Sequence, residues 1–95
     1  MALSTPVQNE QVYHRSGTPV NDTDYELCDF KFKARGLKII VTAGTLDISF
    51  DGKDDYGVLD SAVNGGVFEF NDILMPKIWV KDNSATFQMW AWADF

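Results

Sequence analysis

The sequence predicts an all-β protein: a small antiparallel β-sandwich or barrel of the jelly-roll or Greek-key kind, with about seven strands and an extended N-terminal arm. Three observations predict it. Apolar and polar residues alternate over short runs, turn residues punctuate those runs roughly every 8 to 12 positions, and no stretch repeats its apolar residues at helical spacing. The 95 residues allow one domain, since a chain of this size buries roughly 60 to 65% of its unfolded surface in a single modest core. The expected division is an arm over residues 1–26 and a β-sandwich domain over residues 27–95.

The arm is set apart by composition. Pro6, Gly17 and Pro19 interrupt it, and Gln8, Asn9, Glu10, Gln11, Asn21, Asp22 and Asp24 leave only scattered apolar side chains such as Val7, Val12, Tyr13 and Val20. Such a segment has too little apolar surface to order itself. One short strand is expected near Gln11 to His14, on an arm that either stays free or becomes ordered on a neighbouring subunit.

From Leu27 onward strands follow closely. Leu27 to Ala34 places Cys28, Phe30, Phe32 and Ala34 inward and Asp29, Lys31 and Lys33 outward, and Arg35-Gly36 is expected to end it. Leu37 to Thr42 turns Leu37, Ile39 and Val41 to one face and stops at Ala43-Gly44. Thr45 to Asp51 puts Leu46, Ile48 and Phe50 inward, ahead of the turn Asp51-Gly52-Lys53-Asp54-Asp55. Tyr56 to Asp60 makes a short strand. Asn64-Gly65-Gly66 breaks the chain before Val67 to Asn71, whose Phe68 and Phe70 share a face. Pro76 lacks the ladder donor, so Asp72 to Pro76 belongs at a strand start, an edge or a bulge.

All three tryptophans fall in the last nineteen residues. Lys77 to Lys81 points Ile78 and Val80 one way and Lys77, Trp79 and Lys81 the other. Thr86 to Phe95 points Phe87, Met89, Ala91, Ala93 and Phe95 one way and Thr86, Gln88, Trp90, Trp92 and Asp94 the other. With turn chemistry at Asp82-Asn83-Ser84, the two runs read as a hairpin whose outer face carries the three indoles. An indole can bury about 150 to 250 Å², and three together make a larger apolar patch than a soluble monomer ordinarily leaves in water. Either the N-terminal segment or a second layer of the protein covers them, or another chain or ligand does. Trp79, Trp90 and Trp92, with Val7, Val12 and Tyr13 of the arm, are the candidate partner-interface residues.

Composition narrows the chemistry. A net charge of -6 and a pI near 4.4 argue against nucleic acid, whose binders carry a basic footprint. Cys28 has no second cysteine to pair with and alternates with Phe30 and Phe32, as a buried structural thiol does. Met1 to Pro6 has neither a basic start nor an apolar run, so no signal peptide is expected. No apolar stretch reaches the length of a membrane span. The single histidine, His14, stands in the arm where nothing fixes it as a catalytic base. One Cys and one His cannot close a zinc site. Asn64-Gly65-Gly66 is a turn and not a phosphate cradle. The acidic turn Asp51 to Asp55 is the most plausible cation site, yet it lacks the alternating ligands of a calcium-binding hand and contains Lys53, so it reads as a solvated turn. Paired carboxylates for glycoside hydrolysis would need a cleft that so short a chain does not build. No enzyme, cofactor or metal is expected.

Surface recognition remains, in two classes. In an assembly protein the tryptophan face and the arm are buried against neighbouring subunits. In a sugar-binding module indole faces pack on pyranose rings. The arm separates them, because a lattice protein can use a polar leader to reach across a seam and a sugar module gains nothing from one.

Leu46-Asp47-Ile48-Ser49-Phe50-Asp51-Gly52, then Lys77-Ile78-Trp79-Val80-Lys81, then Ala85-Thr86-Phe87-Gln88-Met89-Trp90-Ala91-Trp92 give the chain a further likeness. Over residues 37 to 92 it resembles small β-sandwich structural proteins of tailed bacteriophage virions. The resemblance implies a non-enzymatic virion component: a capsid decoration or cement subunit, or a protein of the neck or tail. It implies the major capsid protein or other virion proteins as partners and a homo-oligomer, a trimer above all, with no nucleic acid or membrane bound. It also implies assembly in the host cytoplasm and residence on the virion.

Overall fold

Among the described residues alternation becomes six strands: β1 (Val12–Gly17), β2 (Glu26–Ala43), β3 (Thr45–Ser49), β4 (Gly57–Asp60), β5 (Val67–Lys81) and β6 (Thr86–Trp92). The structure, a computed structural model, describes residues 12–20, 22–82 and 84–93. All six strands join one sheet in the order β1-β6-β2-β5-β3-β4, and every pairing is antiparallel. A short 3-10 turn at Asn64–Gly66 leads into β5.

Two pairs of expected strands prove continuous. β2 runs for 18 residues through Arg35 and Gly36, because Gly36 is paired on both sides, with Asn71 and with Trp92. Its missing side chain makes room for an indole and does not turn the chain. β5 runs for 15 residues through Asp72 to Pro76. Pro76 falls where the ladder to β2 passes from Met75 to Lys77, so no donor is required of it.

Both long strands are bulged at their middles. Between the pairs Asp29–Lys77 and Ala34–Met75, five steps along β2 face two along β5, and between Ala34–Met75 and Gly36–Asn71 two face four. Lys31, Asp72 and Leu74 take positive φ angles of 64°, 61° and 48° there. The Asp29 carboxylate accepts the Lys31 amide at 2.9 Å and so supports the left-handed residue. Inward positions on β2 consequently change from even (Cys28, Phe30, Ala34) to odd (Leu37, Ile39, Val41).

The bulges let the sheet curl. Val80 lies opposite Glu26 at the start of β2, and Thr86 lies opposite Ala43 at its end. Six residues of chain reach at most about 21 Å, and the strand spacing adds about 5 Å at each end, whereas a straight β2 over that stretch would span about 56 Å. Its two ends must therefore approach one another. The inner faces of both halves then form a single core, with Leu37, Ile39, Phe87 and Met89 from one half and Leu46, Ile48, Ile78 and Val80 from the other.

The same geometry overturns the expected hairpin. β6 does not pair with β5, because β2 lies between them. The Asp82 carboxylate does accept the Ser84 amide at 3.0 Å, but this turn carries the chain from beside the start of β2 to beside its end. At the other extremity, the expected strand near residues 11–14 is β1, which pairs along β6 from Val12–Trp92 to Gly17–Phe87. Residues 1–11, Val7 among them, lie outside the described residues, as do Asp94 and Phe95.

Candidate functional site

Residues directly opposite in an antiparallel ladder point to the same side of the sheet, so the register defines the outer face of β1, β6, β2 and β5. One row runs Val12, Trp92, Gly36, Asn71, the next runs His14, Trp90, Lys38, Glu69, and the third runs Ser16, Gln88, Ile40, Val67. Trp90 lies beside His14 with ring centroids 5.2 Å apart. A Cβ on Gly36 would stand 2.2 Å from Cε2, 2.3 Å from Cζ2 and 2.5 Å from Nε1 of Trp92. Such near-equal distances to three adjoining ring atoms mean that this indole lies face down on the strand.

Trp79 sits elsewhere. It pairs with Leu27 and Ser49, nine to eleven residues along β2 from Gly36 and Lys38, which pair with the other two tryptophans. The three indoles all point away from the core, but they do not form one patch. Trp79 lies across Gly52, whose Cβ would meet its ring at 2.9 to 3.2 Å, and the Lys77 ammonium is 5.5 Å from the ring centroid. All three rings are half-buried, each seated partly on a glycine or a neighbouring ring, so the apolar patch is smaller than strict alternation implies.

Tyr13 points to the other side of β1. Its ring packs on Phe30 at a centroid distance of 5.0 Å. Burial, and then the adjacent Cys28 thiol, push its pKa up to about 12. Beside it Arg15 forms an ion pair with Glu26, donates to Cys28 Sγ at 3.1 Å and stands 5.8 Å from the Phe87 ring centroid. Cys28 is buried as expected, and burial pushes its thiol up. His14 is on the outer face and Cys28 on the inner one, so they cannot act together as base and nucleophile.

In the acidic turn Asp55 is taken up by Tyr25 and Lys81, and Asp51 by the turn's own donors. Asp51 Oδ1 accepts the amides of Asp54 at 2.9 Å and Lys53 at 2.8 Å, together with the buried Ser49 hydroxyl at 2.9 Å. These donors, the Asp54 amide first, hold the Asp51 carboxyl well below the usual carboxylate range. Among the described residues no group of three or more His, Cys, Asp or Glu side chains is placed to hold a metal ion. A carboxyl with a depressed pKa stabilises the fold above its ordinary value of about 4, and that contribution is lost as the pH falls through the depressed one. Asp51→Ala is accordingly expected to lower the urea midpoint at pH 7, and its deficit against wild type should narrow steadily below about pH 4. A deficit that stays constant down to pH 2 would show that the loop amides do not hold the carboxylate.

Fold and face together define an all-β protein built on one curled antiparallel sheet with an aromatic row on its outer side. No protein-family model matches the chain, and no curated protein or solved structure matches it. Among the described residues no helix is long and apolar enough to cross a membrane. Trp90, Trp92 and Val12 are brought together, Trp79 and Tyr13 are not part of that face, and Gly36, His14, Lys38 and Glu69 are members that alternation alone did not reveal.

Proposed function

We propose that the chain is a non-enzymatic virion structural protein, a capsid decoration or cement subunit whose curled sheet amounts to a small β-sandwich or barrel. The observation that supports this reading most is the aromatic row of Trp90 and Trp92 beside β1, an edge strand whose Val12 is 49% exposed. An edge strand offers backbone donors and acceptors to a second chain, and partly exposed tryptophans anchor interfaces well. The shell protein and copies of this chain, in a trimer, are the partners.

The test is sedimentation of particles from cells that produce the chain. Wild type is expected in the particle peak, Trp90→Ala combined with Trp92→Ala at least tenfold depleted from it, and a deletion of residues 2–11 reduced but folded. Wild-type protein confined to the soluble fractions would refute the virion reading. Full incorporation of the double variant would refute the role of the row.

A further inference from the structure

We infer that the outer edge of β4 is a docking site for a cationic extended segment of another protein, which adds to the sheet as a further strand. β4 ends the strand order on the side opposite β1, so this contact neither rests on the virion reading nor competes with the Trp90 and Trp92 row. Only β3 pairs with β4. The Ser61 amide donates to the Gly44 carbonyl at 3.1 Å and the Tyr56 amide to the Ile48 carbonyl at 3.0 Å. With Leu59 opposite Leu46 and Gly57 opposite Ile48, the alternation of an antiparallel ladder turns the amide and carbonyl of Val58 away from β3. Val58 is 59% exposed and Tyr56 54%. Unpaired backbone groups beside exposed apolar side chains are what strand addition uses.

Charge identifies the occupant. Residues 45–63 hold five aspartates against one lysine, so this fifth of the chain carries -4 of the total charge of -6. Asp47 is opposite Val58 in the ladder, and Lys81 is opposite Asp47. The Lys81 ammonium, however, is 3.5 Å from Asp55 and 4.5 Å from the centroid of the Tyr25 ring. Burial, and then the carboxylates of Asp55 and Asp82, push the Asp47 pKa up, so the fold carries an ionised Asp47 at a cost that a cation beyond Val58 relieves. A lysine placed opposite Val58 starts about 10 Å from Asp47, and its stem can lie along the valine while the ammonium reaches the carboxylate. A second β4 edge would instead set carboxylates against carboxylates. The β1 edge of another copy has His14 and Arg15 as its only bases in residues 12–17, and Arg15 is turned inward to Glu26 and Cys28. Among the described residues the chain therefore offers no cationic edge of its own, and the occupant is a lysine- or arginine-rich strand of a different chain.

The experiment follows the fluorescence anisotropy of a labelled heptapeptide of alternating lysine and valine as the purified full chain is added. Two controls accompany it: the glutamate-for-lysine analogue, and the same cationic peptide with its lysine amides N-methylated. The cationic peptide is expected to bind saturably, with an affinity that falls at least tenfold from low to high salt. The glutamate analogue should not bind, and the methylated peptide should bind at least tenfold more weakly. Asp47→Asn and Val58→Pro, the second of which removes an outward amide, should each weaken binding severalfold, with far-UV circular dichroism confirming that each variant is folded. Asp47→Asn should also hold or raise the urea midpoint at pH 7, which loss of a merely structural carboxylate would not do. Trp90→Ala combined with Trp92→Ala should change the affinity less than twofold. Absence of saturable binding to folded wild type would overturn the inference. So would equal affinity for the methylated peptide, which reduces the contact to diffuse charge attraction, or binding that Asp47→Asn leaves unchanged. A wild-type dimer in light scattering that Val58→Pro dissociates would equally overturn it, by showing that a second copy takes the edge. Because particles play no part in this measurement, its failure leaves the sedimentation result standing on its own.

Discussion

Phe87→Ala is expected to reduce the unfolding free energy by about 3 to 5 kcal/mol, the range for deleting a fully buried aromatic ring. Phe87 has no exposed surface. It sits on β6 opposite Gly17 of β1 and Val41 of β2, with the Arg15 guanidinium 5.8 Å from its centroid. The cavity would open inside the space that the two halves of the curled sheet enclose, where backbone ladders on either side prevent collapse. Domains of this kind have only about 5 to 15 kcal/mol in total, so the variant should be largely unfolded well below the wild-type midpoint. Guanidinium denaturation with an unchanged slope is the measurement, and a loss below about 1 kcal/mol would mean that Phe87 is not central to the core. Phe87→Leu, which keeps most of the volume, should lose less than half as much.

Gly66→Ala should be comparably severe for a different reason. Gly66 has a φ of +81°, and a Cβ there would stand 2.1 Å from the Val41 carbonyl oxygen. A left-handed alanine costs about 1 to 2 kcal/mol, and relieving the overlap adds roughly 1 to 3 kcal/mol, because Val41 is fixed in β2 by its pairing with Phe87. Gly65→Ala is the matched comparison: its φ is +64° but nothing lies within 4 Å of the added atom. It should show the conformational part alone, about 1 to 2 kcal/mol. Equal losses at the two positions, read from denaturation midpoints, would show that the close approach to Val41 is not what requires glycine.

Inward positions were readable from alternation: Cys28, Phe30, Leu37, Ile39, Val41, Leu46, Ile48, Phe87, Met89 and Ala91 are all buried. The division into strands was harder, because a change of parity along β2 looks the same whether the chain turns or bulges. Arg35-Gly36 resembles a stop only until the indole that covers Gly36 is known, and Trp92 is remote in sequence. Pairing of β5 with β6 was the natural inference from their adjacency, but β2 has two edges to satisfy and takes one from each. The aromatic row was half legible for the same reason. Trp90 and Trp92 announce themselves, whereas His14, Lys38 and Glu69 arrive through register with distant strands, which no local pattern encodes.

The placement of β2 between β5 and β6 bears on how the protein comes into being. The strand at the centre of the sheet is synthesised before either of its neighbours, so its two edges are satisfied only once residues 67–81 and then residues 86–92 have followed it. Contacts this remote along the chain slow the search for the native pairing. Until those residues are made, the nascent β2 keeps at least one edge unsatisfied, and that interval is when aggregation threatens it most.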